Sequence, residues 1–281
     1  MTDIERSSDG IRMPPEGDLA GSRYWEGTWT ARNRQRVVDP WASGVRNHLR
    51  RSFHGFFSAV LGRGSGRQLV EVGCADSIWL PYFRRELGFS VAGIDYSATG
   101  CERARATLRD AGIEGPVYEA NMFDPPPEAI ERFDVVFSYG LVEHFGDTSA
   151  AVRALARLLR PNGLVITLIP NMAFVNGALQ RWLNRTIYDL HVPLRLTDLS
   201  DAHRAAGLAV LAEQHLMSFN FGMLIAGSET DWPAARVAKR VVQTALIACQ
   251  VPPWWLESKG IRLVPPNRWT SPYLAVVAQR L

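Results

Sequence analysis

A carboxylate at the tip of an apolar run is the first group in this sequence that could do chemistry. In Gly93-Ile94-Asp95-Tyr96-Ser97 the acid stands 22 residues after Gly73. At that spacing an acid closing a second strand accepts a pair of ribose hydroxyls. The preceding run, Leu69-Val70-Glu71-Val72-Gly73-Cys74-Ala75-Asp76-Ser77, ends in small residues. Such residues let the backbone pass close to a ligand, and the helix that follows offers N–H groups. Ala75 and Ile78 break the GxGxxG pattern, so the dinucleotide fingerprint is missing. Asn121, in Glu119-Ala120-Asn121-Met122-Phe123, closes a third run, where its amide could read an adenine edge. A fourth run ends in Ser138-Tyr139-Gly140-Leu141-Val142-Glu143-His144, an imidazole beside an acid. Imidazole titrates near neutral pH, so His144 is a general-base candidate, and His191 in Tyr188-Asp189-Leu190-His191 is a second. Blander roles fit the same residues: Ser97 suits a helix cap, a strand followed by Gly is often a bare turn, and either histidine could be structural.

These residues need elements to hold them. Apolar runs over 68–72, 90–94, 116–120, 133–137 and 164–169 read as strands. Helical stretches near 80–87, 101–111 and 150–159 fall between them. That alternation argues a parallel sheet with helices on both faces. Further strands are expected over 208–216 and 273–277, with helices over 172–190, 197–206 (capped by Thr197) and 236–249. Residues 1–22, polar and dotted with Gly and Pro, read as a disordered or loosely attached tail. Residues 23–66 form a helical N-terminal segment in which Val45, Leu49, Phe53, Phe56, Phe57, Val60 and Leu61 keep a helical rhythm up to Gly62. The main domain is then 67–281, with inserts at 172–196 and 219–268.

Composition excludes several classes. The formal charge is +3, with 47% hydrophobic and 21% charged residues, the balance of an ordinary folded protein and no argument for a nucleic-acid partner. Cys74, Cys101 and Cys249 are too few and scattered for a disulfide framework or a zinc site, which points to a reducing, cytoplasmic setting. The N-terminus lacks the apolar stretch of a secretory signal, and the run 241–256 is too short and interrupted to span a bilayer. Of the nine tryptophans only Trp79 lies within 67–170.

Taken together, the residues at the four strand ends resemble the class I S-adenosylmethionine-dependent methyltransferases, most strongly over 69–171. The turn Leu158-Leu159-Arg160-Pro161-Asn162-Gly163-Leu164 adds to the likeness, with Asn162 where the family has a first glycine. The resemblance implies a doubly wound, Rossmann-like, seven-stranded and mostly parallel sheet with an antiparallel last strand, a helical N-terminal lid and inserts. It implies S-adenosyl-L-methionine as cofactor. Gly73, Cys74 and Ala75 would lie under its methionine part, Asp95 would bind the ribose, and Tyr96 and Met122 would meet the adenine. Asn121 stands where the family more often has Asp, and Glu71 and Tyr139 complete the expected cofactor set.

Glu143-His144 is similar to the branch that includes ubiquinone-pathway O-methyltransferases. Some of those carry ExxEH and hold a divalent metal with it. Here Gly140 replaces the first acid, so that site is incomplete and no metal is expected. His144 would then be free to act as base, with Glu143 orienting it or meeting the cofactor's amino group. Tyr24 and Trp25 would cover the acceptor, and Tyr188, with Glu143, would line its wall. The function implied is methyl transfer to the oxygen or nitrogen of a small molecule in a biosynthetic pathway. Alternatives are a lipid- or glycan-linked acceptor reached at a membrane surface through 236–255, and a non-catalytic cofactor-binding module. Neither the acceptor's identity nor the oligomeric state is legible here.

Overall fold

The computed structural model describes residues 18–31 and 37–281, so most of the expected tail lies outside the described residues. Seven strands, β1 (Gln68–Val72), β2 (Ser90–Asp95), β3 (Val117–Glu119), β4 (Phe133–Tyr139), β5 (Leu159–Pro170), β6 (Leu208–Leu216) and β7 (Tyr273–Arg280), form one sheet. Their order is β3-β2-β1-β4-β5-β7-β6. The first five run parallel, and β7 inserts antiparallel between β5 and β6. The order reverses between β1 and β4, which pair directly. A sheet of this kind opens its ligand crevice at that point, beyond the carboxyl ends of the strands.

Ten helices are described: α1 (Ser22–Ala31), α2 (His48–Leu61), α3 (Trp79–Tyr82), α4 (Ala98–Asp110), α5 (Thr148–Ala156), α6 (Val175–Leu183), α7 (Arg185–Tyr188), α8 (Leu196–Ala205), α9 (Pro233–Cys249) and α10 (Val251–Ser258). Strand side chains alternate between two cores, as a period of two requires. Leu69, Phe137, Ile166 and Ala275 join Phe53 and Phe57 of α2 and Leu108 of α4 on one side. Val70, Val136, Val165 and Val276 join Leu155 of α5 and Leu199 of α8 on the other. Both faces being covered, the strands read as nearly unbroken apolar runs.

Several elements differ from expectation for local reasons. The helix expected over 172–190 divides at Asn184, whose side-chain oxygen accepts the Ile187 amide at 3.2 Å and starts α7. Thr197 does not cap α8; Asp198 accepts the Arg195 amide at 2.8 Å instead, so the helix starts earlier. Pro252 and Pro253 do not end the helical insert but occupy the first turn of α10, where no N–H is required. Asn162 takes φ 64°, a left-handed conformation that asparagine tolerates better than most residues. Among the described residues no helix is long and apolar enough to cross a membrane.

Candidate active site

The carboxyl ends of β1, β2 and β4 open into a cavity of about 910 Å³ that runs from the Gly73 turn to the helix α1. At the turn, Gly73 has φ 78°, and a Cβ there would press on Leu141 at 3.3 Å. The Gly73 and Cys74 amides donate to the Ile94 carbonyl at 2.9 and 3.3 Å, which ties the turn to β2. The Ala75 amide donates to Asp95 Oδ2 at 2.9 Å and the Ser97 amide to Asp95 Oδ1 at 2.8 Å. Both oxygens of Asp95 are thus anchored, and the carboxylate is aimed before any ligand arrives. Ser97 caps α4 by accepting the Gly100 amide at 2.9 Å, so acid and cap have separate tasks.

Glu71 lies at the same end, 3% exposed, and accepts the Ser77 hydroxyl. Burial pushes its carboxyl up to about 8, with the Asp95 charge adding to the rise and the Ser77 bond opposing it. Burial raises Asp95 to about 6 against the pull of the Ser97 and Ala75 amides. Two carboxyls held partly uncharged beside a cavity favour a ligand that brings positive charge.

Tyr96, Asn121, Met122 and Tyr139 also line the cavity, as expected. Asn121 Oδ1 accepts the Phe123 amide at 3.0 Å, which commits that oxygen to the turn. The Cys74 side chain is fully buried beneath the turn, and a Cβ on Gly93 would meet its sulfur at 2.5 Å. It packs in the core and does not line the cavity.

The far end is polar. Glu143 and His144 sit on a short turn after β4, and His191 follows α7. The Val192 amide donates to the Glu143 carbonyl at 2.7 Å, and the Leu19 amide to the His144 carbonyl at 2.8 Å. Those two bonds bring the insert and the N-terminal segment onto the turn. His144 Nδ1 is 2.6 Å from the Leu190 carbonyl and His191 Nδ1 is 2.8 Å from the Ile187 carbonyl. A carbonyl only accepts, so each Nδ1 carries the proton and each Nε2 presents a lone pair. Burial, then the neighbouring His191, lowers His144 to about 3, and burial lowers His191 as well. As it stands His144 is therefore a poor proton acceptor near neutral pH. Burial raises Glu143 to about 8; the nearby Glu143 and Leu141 amides oppose this without making well-aligned bonds.

Helix α1 closes over this end. Trp25 meets the His144 ring edge-on at 5.2 Å and stacks on Trp29 at 5.6 Å. Tyr24 packs against Trp25 at 5.0 Å and does not line the cavity. Nor does Tyr188, which borders a separate shallow pocket with Arg181 and Trp182. The single turn of α7 sends Ile187 and His191 to the main cavity and Tyr188 away from it. Sequence reading also missed Gln180, Asn220, Trp254 and Tyr273 on the cavity wall, each contributed by a distant segment. His48, His54 and His203 lie away from this cavity and pair with Glu257 (2.7 Å), Tyr82 (2.9 Å) and Thr167 (2.9 Å).

A model of a methyltransferase domain family matches residues 43–213, more than half of the chain. The chain belongs to the class I S-adenosylmethionine-dependent methyltransferase family. It is 31% identical over 173 residues to the ubiquinone biosynthesis O-methyltransferase of Ruegeria pomeroyi, covering 58% of this chain and 69% of that one. It is 32% identical over 152 residues to the enzyme of the same name from Methylobacterium nodulans, covering 51% and 60%. The chain spans about 60% of the length of several such relatives. Among solved structures, the [4+2]-cyclase SpnF aligns with a TM-score of 0.59 at 15% identity, covering 95% of this chain and 98% of that one. The geranyl diphosphate C-methyltransferase of Streptomyces coelicolor A3(2), with S-adenosyl-L-homocysteine bound, aligns at 0.57 and 14%, covering 92% and 96%. Those two share the fold, on which a cyclase and a methyltransferase both work.

Proposed function

We propose that the protein transfers the methyl group of S-adenosylmethionine to the oxygen, or else the nitrogen, of a small and largely apolar acceptor. The observation that carries this reading is the single cavity joining an anchored Asp95 at one end to an aromatic and polar chamber at the other. Asp95 would accept the ribose hydroxyls, and Glu71, at the buried end, would offset the cofactor's positive charge. Phe53, Trp79, Met172, Ile187 and Trp254 give the acceptor an apolar wall, and Glu143, His144 and His191 give it one polar corner. About 910 Å³ is at the upper end of the ordinary range for ligand sites, roughly 300–1,000 Å³, so cofactor and acceptor can share it. An oxygen acceptor is favoured because the relatives at about 30% identity are named O-methyltransferases.

In the reaction the acceptor's lone pair would form a bond to the methyl carbon as the carbon–sulfur bond breaks. S-adenosylhomocysteine would leave, and the acceptor's proton would pass to solvent. The cofactor supplies the electrophile, so the chain's tasks are alignment and exclusion of water. Trp25 and Trp29 would provide the exclusion.

Calorimetry tests the first half: S-adenosylhomocysteine should bind at one site and NAD should not, and absence of the former would sink the reading. Incubation with S-adenosylmethionine and a panel of phenols, alcohols and amines, followed by product mass, tests the second.

A second reading places the acceptor at a membrane surface. None of the 17 residues of α9 is buried, and Val237 and Val241 are each 62% exposed beside the basic Arg236, Lys239 and Arg240. Trp232 and Trp255 flank the helix, 74% and 54% exposed. Exposed apolar and aromatic residues interspersed with cations suit an interfacial helix. Flotation with anionic liposomes decides it.

A further inference from the structure

The polar corner gathers two imidazoles and one carboxyl. His144 and His191 each spend the Nδ1 proton on a backbone carbonyl, which leaves two Nε2 lone pairs. They stand with the Glu143 carboxylate, and one ligand atom from each of the three residues lies within 4.8 Å of the others. Glu143 is 1% exposed, and neither of its oxygens has a hydrogen-bond partner. Its nearest opposite number, His144 Nε2, is 4.0 Å from Oε1, too far for a hydrogen bond. A buried acid without a partner is rare in folded proteins and calls for an explanation, of which a missing ion is one.

We propose that Glu143, His144 and His191 bind one divalent first-row transition cation through the carboxylate and the two Nε2 atoms, with the remaining coordination positions open to the cavity. The carbonyls of Leu190 and Ile187 are then outer-shell partners. They fix the tautomer and orientation of each ring, as metal-bound histidines require. Two imidazoles and one carboxylate suit zinc, iron, cobalt or nickel better than magnesium or calcium, which prefer all-oxygen sets. Three protein ligands with open positions are the arrangement of a reactive centre and not of a closed structural one.

The third ligand comes from an unexpected place. Position 140 is a glycine with φ 65°, a conformation that side chains rarely take, and a Cβ there would stand 3.7 Å from Glu143 Oε1. The chain fills the role from the insert instead, and the bond from the Val192 amide to the Glu143 carbonyl sets His191 in place. The proposal departs from the expectation that no metal is bound. It rests on the proposed function only in that the open positions would meet the acceptor's polar group.

The test is metal binding by the tag-free full chain after treatment with a chelator. Cobalt(II) titration followed by visible absorption should show one equivalent bound, displaced by zinc and not by magnesium. His191→Ala and Glu143→Gln should each weaken cobalt binding by at least about tenfold, the loss that even outer-shell changes cause. His215→Ala, at a histidine on β6 outside the cavity, should leave it unchanged. S-adenosylhomocysteine calorimetry in parallel separates the two proposals, since loss of cofactor binding would leave the metal result standing. If the variants fail to fold, nitrogen NMR of labelled histidine in the wild type replaces them: zinc should shift two Nε2 signals. No cobalt or zinc binding at millimolar metal, binding indifferent to both substitutions, or no shifted Nε2 signal overturns the proposal. So does displacement by magnesium.

Discussion

Arg103 on α4 holds Asp76 of the cofactor turn in a buried ion pair, Nη2 to Oδ1 at 3.0 Å, and with Nη1 it donates to the Trp29 carbonyl of α1 at 3.0 Å. Asp76 takes φ 53°, an uncommon conformation for a residue other than glycine. One guanidinium therefore joins the strained turn beneath the cofactor end to the helix that covers the other end.

Cutting that link should free both. In Arg103→Met, Asp76 keeps a side chain only 2% exposed without its cation. Breaking a buried pair costs about 3–5 kcal/mol, and the lower end applies because Arg103 is 15% exposed. Hydrogen exchange over residues 22–31 should rise, and S-adenosylhomocysteine should dissociate faster. Unchanged exchange in α1 would show that Arg103 serves the turn alone.

Cofactor affinity should depend on pH through Asp95. Burial raises its carboxyl to about 6, and ribose hydroxyls need the ionised form as acceptor. Binding is therefore intact above that value and weakens as pH falls through it, by up to about tenfold per unit. Calorimetry between pH 5 and pH 8 checks this, with Asp95→Asn expected to bind weakly and without the slope. At neutral pH Asp95→Ala should lose about tenfold or more, the worth of a hydrogen bond to a charged group.

Asp95 and the Gly73 turn were legible because each lies in a local pattern, an apolar run closed by the residue that meets the ligand. The alternation of Val and Leu with helical stretches likewise carried the parallel sheet. Glu143, His144 and His191 were each legible as candidates, but their meeting in one polar corner was not, because His191 reaches Glu143 through a backbone bond from Val192 that no spacing encodes. Arg103 and Asp76 are separated by helix α3, strand β2 and half of α4, so nothing in either neighbourhood marks the pair. Tyr188 misled for the opposite reason: it is next to Ile187 in the chain, yet one helical step turns it to another pocket.

Glu71 should make the ligand-free protein less stable as pH rises. Its carboxyl lies at about 8 in the fold against an ordinary value of 4.5, with burial as the main cause. A raised carboxyl gives its full contribution below the unfolded value and loses it as pH climbs through the folded one. The loss between those limits is on the order of 5 kcal/mol at most. Glu71→Gln keeps an acceptor for Ser77 and removes the charge, so its melting temperature should exceed the wild type's at pH 8 and match it near pH 5. Saturating S-adenosylmethionine should narrow the gap, because the cofactor's cation favours the ionised wild-type carboxylate. A wild type and variant that melt in parallel across this range would count against a buried, uncharged Glu71.

The aromatic layer beneath the cavity should set the stability of the whole sheet face. Phe57 on α2 is fully buried, with rings of Phe53, Phe56, Trp79, Tyr82, Phe83 and Phe137 centred 5.0–6.1 Å from its own. Phe57→Ala removes a ring that six others enclose, and α2 cannot follow inward without disturbing Phe53, which lines the cavity. The cost should fall at about 3–5 kcal/mol, the range for a buried phenylalanine whose site does not collapse. Phe57→Leu, which keeps most of the volume, should cost less than half of that. Urea unfolding followed by tryptophan fluorescence measures both, since Trp79 packs on Phe57 at 5.4 Å and reports the same layer. A Phe57→Ala protein as stable as the wild type would mean that α2 is not part of the cooperative core.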